Sequence, residues 1–287
     1  MKLATITVAG QEEAAIVTDI GLVQIAKLNK AYGLTCPTSV LELLEQGELT
    51  RLSEWCRIEK DGKLADLASI AFEDAVYAPL YRYPRKIWGI GANYREKAEA
   101  MSVTPPEQEP ICFMKPDTSL IGPGDEILLP AESDRVTAEA EIAIVIGKLC
   151  KNVSPEEAPQ VIAGFAPTLD MTAQDIHARN PRFLGRSKCF DTFFSFGPQL
   201  LTLDEFPDVN ALEVMTMHNG EEAYRGKVSQ MIYSPWFLVS YFSKMMTLLP
   251  GDIIMTGTPG SVPLREGDTA GCQISGFESL INPVALG

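Results

Sequence analysis

The pattern of apolar and polar positions changes near residue 80. Before it, two short apolar runs predict strands, and apolar residues at helical spacing predict helices over Ser39–Glu45 and Thr50–Glu59. After it, short apolar runs alternate with glycine and proline, as in DEILLP and DIIMTGTPG, which is typical of strands bounded by turns. Fewer helices are predicted there, over Arg95–Met101, Ser154–Val161 and Pro235–Lys244. The pattern therefore predicts a β-rich α+β chain with a small α+β domain over residues 1–76 and a larger domain over residues 77–287.

The charge balance excludes several classes of partner. The chain has 24 Lys and Arg against 38 Asp and Glu, a net charge of −14, which disfavours binding to nucleic acid or to anionic membranes. The N-terminal region lacks the apolar core of a signal peptide, and no apolar stretch is long enough to span a bilayer. The six cysteines form no Cys-x-x-Cys pair, as expected for reduced thiols. We therefore expect a soluble cytoplasmic protein.

Histidine is scarce in this chain. The only two histidines are His177 and His218, so a three-histidine zinc site is excluded. His218 precedes Asn219-Gly220, a sequence typical of a tight hairpin turn, and is expected at the surface. Any metal would therefore have to be held mainly by carboxylates.

Two glutamates interrupt the apolar, strand-like segment Thr137–Lys148. A strand places alternate side chains on opposite faces, so Glu139 and Glu141 share one face and their apolar neighbours share the other. Burying unpaired carboxylates is costly, and a bound cation such as Mg²⁺, Mn²⁺ or Ca²⁺ would neutralise them. Asp170, after another apolar segment, offers a third oxygen ligand. The alternatives are glutamates that face water on a half-exposed strand, and an aspartate that serves a turn or a helix cap.

Further candidates lie downstream, in apolar or turn-forming surroundings. Lys188 precedes a cluster of phenylalanines, where an anionic substrate or metal-bound carboxylates would match its charge; a surface ion pair with Asp191 is the alternative. Thr258 lies with Thr256 in a turn rich in glycine and proline, whose hydroxyl and N–H groups are suited to a carboxylate. The alternative for this turn is a plain strand end.

Nine short elements occur in an order typical of one known family, between about residues 78 and 284. They are Gly91–Tyr94, Phe113–Pro116 with Gly122–Asp125, Glu139–Lys148, Asp170, Lys188–Pro198, Asn219–Glu221, Thr247–Pro259, Gly267-Asp268 and Asn282–Val284. Together they resemble the fumarylacetoacetate hydrolase family, in its branch of acylpyruvate hydrolases and oxaloacetate decarboxylases. The resemblance implies a mixed β-roll or sandwich, a small N-terminal domain and a homodimer.

The resemblance also implies a site for a small oxo acid. A divalent metal, Mg²⁺ or Mn²⁺, would be held by Glu139, Glu141 and Asp170 and would stabilise an enolate derived from a 2-oxo or 2,4-dioxo acid. Lys188 would assist at the enolate or at the substrate carboxylate. The implied substrate-binding residues are Tyr94, Arg95, Asp191 and Thr258.

The sequence departs from that family where water is activated. Hydrolytic members commonly follow Asn-Tyr with a His-x-x-Glu pair, but here the two positions are Lys97 and Ala100. A lysine with the ordinary pKa of about 10.4 is protonated at neutral pH and cannot act as a base. The candidate bases are therefore Glu99, His177, or Lys97 with a depressed pKa.

Three functions follow from this departure. The first is a metal-dependent hydrolase that cleaves a C–C bond in a 2,4-dioxo acid, with its base supplied differently. The second is a lyase or isomerase, such as a β-oxo acid decarboxylase or tautomerase, which needs no activated water and suits a protonated Lys97. The third is a non-catalytic relative that binds a ligand in the retained pocket.

Overall fold

The computed structural model describes residues 1–59, 64–100 and 109–287. In these ranges the strands are β1 Lys2–Val8, β2 Gln11–Val17, β3 Leu22–Gln24, β4 Ile87–Gly91, β5 Ile111–Lys115, β6 Leu120–Ile121, β7 Ile127–Leu129, β8 Val136–Ile146, β9 Ile162–Ala173, β10 Phe194–Phe196, β11 Gln199–Leu201, β12 Glu213–His218, β13 Glu221–Lys227, β14 Ile253–Met255, β15 Ser261–Pro263, β16 Thr269–Ile274 and β17 Leu280–Leu286. The α-helices are α1 Ile25–Tyr32, α2 Val40–Glu45, α3 Leu49–Glu59, α4 Arg95–Ala100, α5 Gln174–Arg179, α6 Leu184–Lys188 and α7 Pro235–Met245. The architecture is the β-rich mixture of strands and helices that the sequence predicts.

The strands form two open sheets. The larger one runs in the order β3-β2-β1-β11-β9-β8-β14-β4-β5, with β6, β10 and β15 pairing at its sides. The smaller one runs β13-β12-β16-β17-β7. At the centre of the larger sheet, β8 and β9 pair antiparallel along their whole length. Both strands are rich in buried apolar residues, so this pair forms a rigid base for the polar side chains it carries.

The larger sheet is covered on both faces. On one face, alternate residues of β8 such as Ile142 and Ile144 share a core with Val214 and Ile274 of the smaller sheet and with Phe242 of α7. The other face packs against the N-terminal helices, in a second core that includes the side chains of Leu28, Leu43, Leu52, Ala143, Val145 and Phe196. Since β8 is buried from both sides, any charged side chain on it needs a partner.

The N-terminal unit joins the same sheet. β1 pairs with β11 through the register Leu3↔Leu200, so the sheet continues from the N-terminal strands into the rest of the molecule. α2 begins after Ser39, whose hydroxyl accepts a hydrogen bond from the Glu42 N–H, as expected of an N-cap. The predicted helices α2, α3 and α7 are confirmed to within a residue at each end. The domain boundary at residue 76 stays a prediction.

The helix predicted over Ser154–Val161 is wrong. The segment contains only one 3₁₀ turn, Ala158–Gln160. Ser154 and Glu157 do form a reciprocal cap, in which each backbone N–H donates to the other's side chain. Pro159 lacks an N–H for an α-helical hydrogen bond, so the helix does not propagate. The predicted polar loop Ser102–Pro110 and the end of the predicted helix at Met101 lie mostly outside the described residues.

Candidate metal centre

The β8–β9 pair brings three carboxylates together. Glu139 on β8 lies directly opposite Asp170 on β9, and Glu141, two residues further along β8, lies on the same face. Ligand oxygens of all three residues lie within 4.8 Å of one another. Glu141 and Asp170 are buried, while the Glu139 side chain is 15 % exposed. The alternative in which the two glutamates face water is therefore wrong.

Three lysines surround this carboxylate triad. The Lys188 Nζ lies 3.2 Å from Glu139 Oε2 and also contacts Asp170 Oδ2. The Lys97 Nζ, on α4, lies 3.3 Å from Glu139 Oε1 and donates a hydrogen bond of 2.6 Å to the Ser261 hydroxyl. Lys188 is buried and does not pair with Asp191, as the surface alternative required. Both lysines that were predicted to act in catalysis, Lys188 and Lys97, thus contact Glu139 directly.

Sequence reasoning missed the third lysine. Lys115 on β5 is buried, and its ammonium group donates hydrogen bonds to the carbonyls of Met171, Lys188 and Phe193. These bonds use all three of its protons, so Asp170 Oδ1, 2.8 Å away, is attracted by the charge without receiving a hydrogen bond. One sequence signal could have indicated that Lys115 is buried. It lies in the strand-like segment PICFMKP two positions after the apolar Phe113, and residues two apart on a strand share a face.

The lysines do not compensate the three carboxylates equally. Burial alone would raise the pKa of Glu139, but Lys188 and Lys97 together outweigh it and lower that pKa. Burial, together with the charges of Asp170 and Glu139, raises the pKa of Glu141 well above its ordinary range. The Glu141 side chain accepts a 2.5 Å hydrogen bond from the Gly257 N–H, and no lysine in the described ranges forms an ion pair with it. Glu141 is therefore the carboxylate whose negative charge is least compensated by the protein.

The three carboxylates of the triad are suited to a hard divalent cation. Carboxylate oxygens are the ligands that Mg²⁺ and Mn²⁺ prefer, and the triad presents one oxygen from each of three residues within 4.8 Å. Asp170 Oδ1 is buried and accepts no hydrogen bond, and it lies 2.8 Å from the Lys115 ammonium group, so this oxygen is already in a position that attracts positive charge. The least compensated carboxylate, Glu141, would gain most from bound positive charge. We therefore identify the triad as a candidate metal centre.

The start of α4 is anchored beside this centre. The Asn93 side chain donates to the carbonyls of Tyr233 (3.0 Å) and Thr256 (2.7 Å) and accepts from the Tyr233 N–H at 2.8 Å. These bonds fix the chain just before α4, and so they set the position from which Lys97 reaches Glu139. The sequence marks Asn93 only as part of the Gly91–Tyr94 motif, because its hydrogen-bond partners lie more than a hundred residues further along the chain.

Tyr94 and Thr258 are both buried near the triad. Burial, with the charge of Glu141, raises the pKa of the Tyr94 phenol. The Thr258 hydroxyl donates to the Gly260 carbonyl at 2.8 Å, so in this conformation it stabilises its own turn. His177 on α5 is half-buried, and burial together with the nearby charge of Lys188 lowers its pKa.

Three predicted residues do not join the triad. Arg95, Glu99 and Asp191 are exposed, and none of the ion pairs of the carboxylates involves them. Glu99 shares α4 with Lys97, yet only Lys97 reaches Glu139. Of the candidate bases, Lys97 therefore contacts the centre, His177 lies near it, and Glu99 faces solvent.

An open, strand-rich fold with a carboxylate triad among lysines defines an enzyme whose site is suited to a divalent metal and an anionic substrate. The chain belongs to the fumarylacetoacetate hydrolase family: residues 86–285 match the model of the fumarylacetoacetate (FAA) hydrolase C-terminal domain. The family's members are enzymes, which sets aside the non-catalytic alternative.

Characterised relatives differ in the reaction they catalyse. The human mitochondrial oxaloacetate tautomerase FAHD2B is 33 % identical over 263 residues, covering 88 % of this chain and 82 % of the relative. Maleylpyruvate hydrolase from Sphingobium sp. SYK-6, solved with manganese(II) and pyruvate, matches over the full length of both chains with a TM-score of 0.81 and 28 % identity. The 5-carboxymethyl-2-hydroxymuconate delta-isomerase from Mycobacterium smegmatis matches with a TM-score of 0.77 and 29 % identity, covering 100 % of this chain and 99 % of the other.

Proposed function

We propose that this protein is a metal-dependent tautomerase or decarboxylase of a 2-oxo acid of the oxaloacetate type. The observation that carries the proposal is the contact between Lys97 and Glu139. Hydrolytic members of the family commonly carry a water-activating histidine at this position, and this chain carries a lysine there instead. The 33 % identity to an oxaloacetate tautomerase supports the same choice.

The lysines of the site suit a reaction that passes through an enolate. Lys188 and Lys97 both contact Glu139, so their charges would stabilise negative charge that develops on an oxygen bound beside it. In tautomerisation the enol O–H proton leaves and the neighbouring carbon gains a proton, and no water is added. In this proposal Lys97, whose side chain is 12 % exposed at the edge of the site, would donate the proton to carbon.

The triad would provide the remaining stabilisation. A divalent cation held by Glu139, Glu141 and Asp170 would act as a Lewis acid toward the same enolate charge. Lys115 keeps Asp170 in place, and the Gly257 N–H keeps Glu141 in place. We propose Mg²⁺ or Mn²⁺ as the ion, since the hydrolase from Sphingobium was solved with manganese(II).

Hydrolysis of an acylpyruvate is the second candidate. It is supported by the full-length likeness to maleylpyruvate hydrolase at a TM-score of 0.81. It also requires a base, and His177 is the best placed, because burial lowers its pKa and thereby favours the neutral imidazole. A hydrolase would cleave each dioxo acid into two products, whereas a tautomerase would convert its substrate into an isomer without cleavage.

Product analysis distinguishes the two candidates. The protein loaded with Mg²⁺ or Mn²⁺ is mixed with enol-oxaloacetate and, separately, with acetylpyruvate, and the solutions are followed by NMR. We expect faster conversion of the enol to the keto form of oxaloacetate, or release of CO₂ and pyruvate, and no acetate from acetylpyruvate. Metal-dependent release of acetate, with no effect on oxaloacetate, would refute the proposal in favour of hydrolysis.

A further inference from the structure

Ser261 lies directly opposite Glu139 in the larger sheet. The short strand β15 pairs antiparallel with β8 in the register Ser261↔Glu139, and opposed residues of such a pair project from the same face. The Lys97 ammonium group donates a 2.6 Å hydrogen bond to the Ser261 hydroxyl and lies 3.3 Å from Glu139 Oε1. One ammonium group thus bridges a serine and a candidate metal ligand.

The backbone on both sides of Ser261 is held in place. Before it, the Gly260 carbonyl accepts hydrogen bonds from the Thr216 hydroxyl at 2.9 Å and from the Thr258 hydroxyl at 2.8 Å. After it, Val262 is buried and belongs to the core between the two sheets. The backbone at Ser261 therefore has little freedom to move.

The two partners of Lys97 differ in what a bound cation would do to them. Glu139 belongs to the triad, so a divalent cation held there would share its carboxylate and repel the Lys97 ammonium group. Ser261 lies outside the triad, and its hydroxyl is a neutral acceptor. Of the partners that Lys97 has in the described ranges, only Ser261 would keep its full attraction once the triad is loaded.

Proton transfer to carbon requires an ammonium group that is held at one point beside the substrate. A lysine side chain has many rotamers, and that of Lys97 is 12 % exposed, so it can turn toward solvent. The Ser261 hydroxyl takes one of the three N–H groups and Glu139 attracts a second, which leaves one for the substrate. The hydrogen bond to Ser261 therefore restrains Lys97 without using up its donors.

We propose that Ser261 is a positioning residue that keeps Lys97 at the site when the triad holds its cation. This inference rests on the proposed function, because it gives Ser261 a role only through Lys97 as the proton donor. Ser261 touches no reacting atom in this scheme. Its effect on the rate must therefore disappear when Lys97 is removed.

A double-mutant cycle on the conversion of enol-oxaloacetate at saturating Mn²⁺ tests the inference. We expect Ser261→Ala to lower kcat by about tenfold or more, the scale for losing a hydrogen bond to a charged group, with KM and Mn²⁺ affinity unchanged. Ser261→Thr keeps the hydroxyl and should restore most of the rate. In a Lys97→Met background, Ser261→Ala should have no further effect. Ser275→Ala, at an exposed serine directly after β16, is the matched control and should be fully active.

A second measurement does not depend on activity. Acetic anhydride acylates accessible amines, and mass spectrometry of the peptide that carries Lys97 gives the rate of its labelling. In the Mn²⁺-loaded protein, we expect Lys97 to be labelled about tenfold faster in Ser261→Ala than in the wild type, because the hydrogen bond that holds it is lost. The exposed Lys151 should be labelled at the same rate in both proteins.

The outcomes separate the inference from the proposed function. Wild-type kcat and labelling in Ser261→Ala, or an equal loss of rate from Ser261→Ala in the Lys97→Met background, would overturn the role of Ser261 and leave the enolate reaction intact. A lowered melting temperature and weakened Mn²⁺ binding in both Ser261→Ala and Ser261→Thr would assign Ser261 to the fold and also overturn the inference. A Lys97→Met variant with the wild-type rate would overturn both. If the wild type converts no enol, the proposed function fails, and the labelling rates still decide whether Ser261 holds Lys97.

Discussion

At the scale of single residues, the site depends on the unequal environments of its carboxylates. Lys188 and Lys97 compensate Glu139, and Lys188 and Lys115 compensate Asp170. Glu141 accepts a hydrogen bond from the Gly257 N–H and forms no ion pair within the described residues. A cation held at this site would therefore be bound most strongly through Glu141, where its charge relieves the repulsion among three buried carboxylates.

Glu141→Gln should therefore weaken Mn²⁺ binding by at least about 100-fold, because it removes an anionic ligand and keeps the side-chain volume. Calorimetric titration with Mn²⁺ measures the change, with the exposed Glu266→Gln as control. The metal-free variant should be at least as resistant to thermal unfolding as the wild type, since it no longer buries three neighbouring carboxylates. Unchanged Mn²⁺ affinity would refute the assignment of the triad.

Lys115→Met should destabilise the fold by about 3–5 kcal/mol, because it removes one of the two cations that pair with the buried Asp170 carboxylate. It also leaves the carbonyls of Met171, Lys188 and Phe193 without a donor. The free energy of unfolding in urea measures this loss. Lys151→Met, an exposed lysine on a surface loop, is the control and should change stability by less than about 0.5 kcal/mol. Equal effects of the two substitutions would contradict a supporting role for Lys115.

The pairing of Glu139 with Glu141 was predictable at this scale, Asp170 joined them only through the family resemblance, and Lys115 was not predictable. Alternation along a strand places Glu139 and Glu141 on one face whatever the rest of the fold. The contacts of Lys115 come from three separate segments, so only the assembled sheet shows that its charge is buried at Asp170.

At the scale of secondary-structure elements, the junction before α4 positions Lys97 beside the triad. The Asn93 side chain donates two hydrogen bonds and accepts one, and these three bonds connect this junction to the residues before α7 and after β14. Sequence periodicity predicted α4 and α7 as separate helices. It could not predict that one asparagine links them, since this depends on the parallel pairing of β14 with β4.

Asn93→Ala should cost about 2–3 kcal/mol of folding stability, roughly 1 kcal/mol for each hydrogen bond lost. It should also lower the reaction rate at saturating metal, because Lys97 loses its fixed starting point. Chemical unfolding and steady-state kinetics measure the two effects. Asn210→Ala, an exposed residue bonded to Asp208, is the control. A fully active and fully stable Asn93→Ala would show that α4 is held by other contacts.

At the scale of the whole molecule, the sheet order was beyond sequence reasoning. The composition and turn pattern predicted a β-rich fold, but β1 adds to the sheet beside β11, almost two hundred residues later. Such a pairing depends on which edges remain open after the rest of the sheet has formed. No helix in the described ranges is long and apolar enough to cross a membrane. The expected cytoplasmic location stays a prediction.

A homodimer also stays a prediction. The edge strand β5 indicates which surface the two chains would share. β5 ends the path of the larger sheet, and Ile111 and Met114 on it are 39 % and 41 % exposed. An apolar edge strand commonly pairs with another chain. Sedimentation velocity should therefore give a mass of twice 31.4 kDa, and Met114→Lys should shift it toward one chain. A wild-type mass of 31.4 kDa would refute the dimer.

The central claim is that Lys97 serves enolate chemistry where hydrolytic relatives activate water. The most direct test is the rate of enol-to-keto conversion of oxaloacetate at saturating Mn²⁺ for the wild type, Lys97→Met and Lys97→Arg. We predict that Lys97→Met loses at least about 100-fold in rate, the lower end of the range for a proton-transferring group, while Lys97→Arg keeps the charge and loses less. A Lys97→Met variant that converts the enol at the wild-type rate would contradict the account.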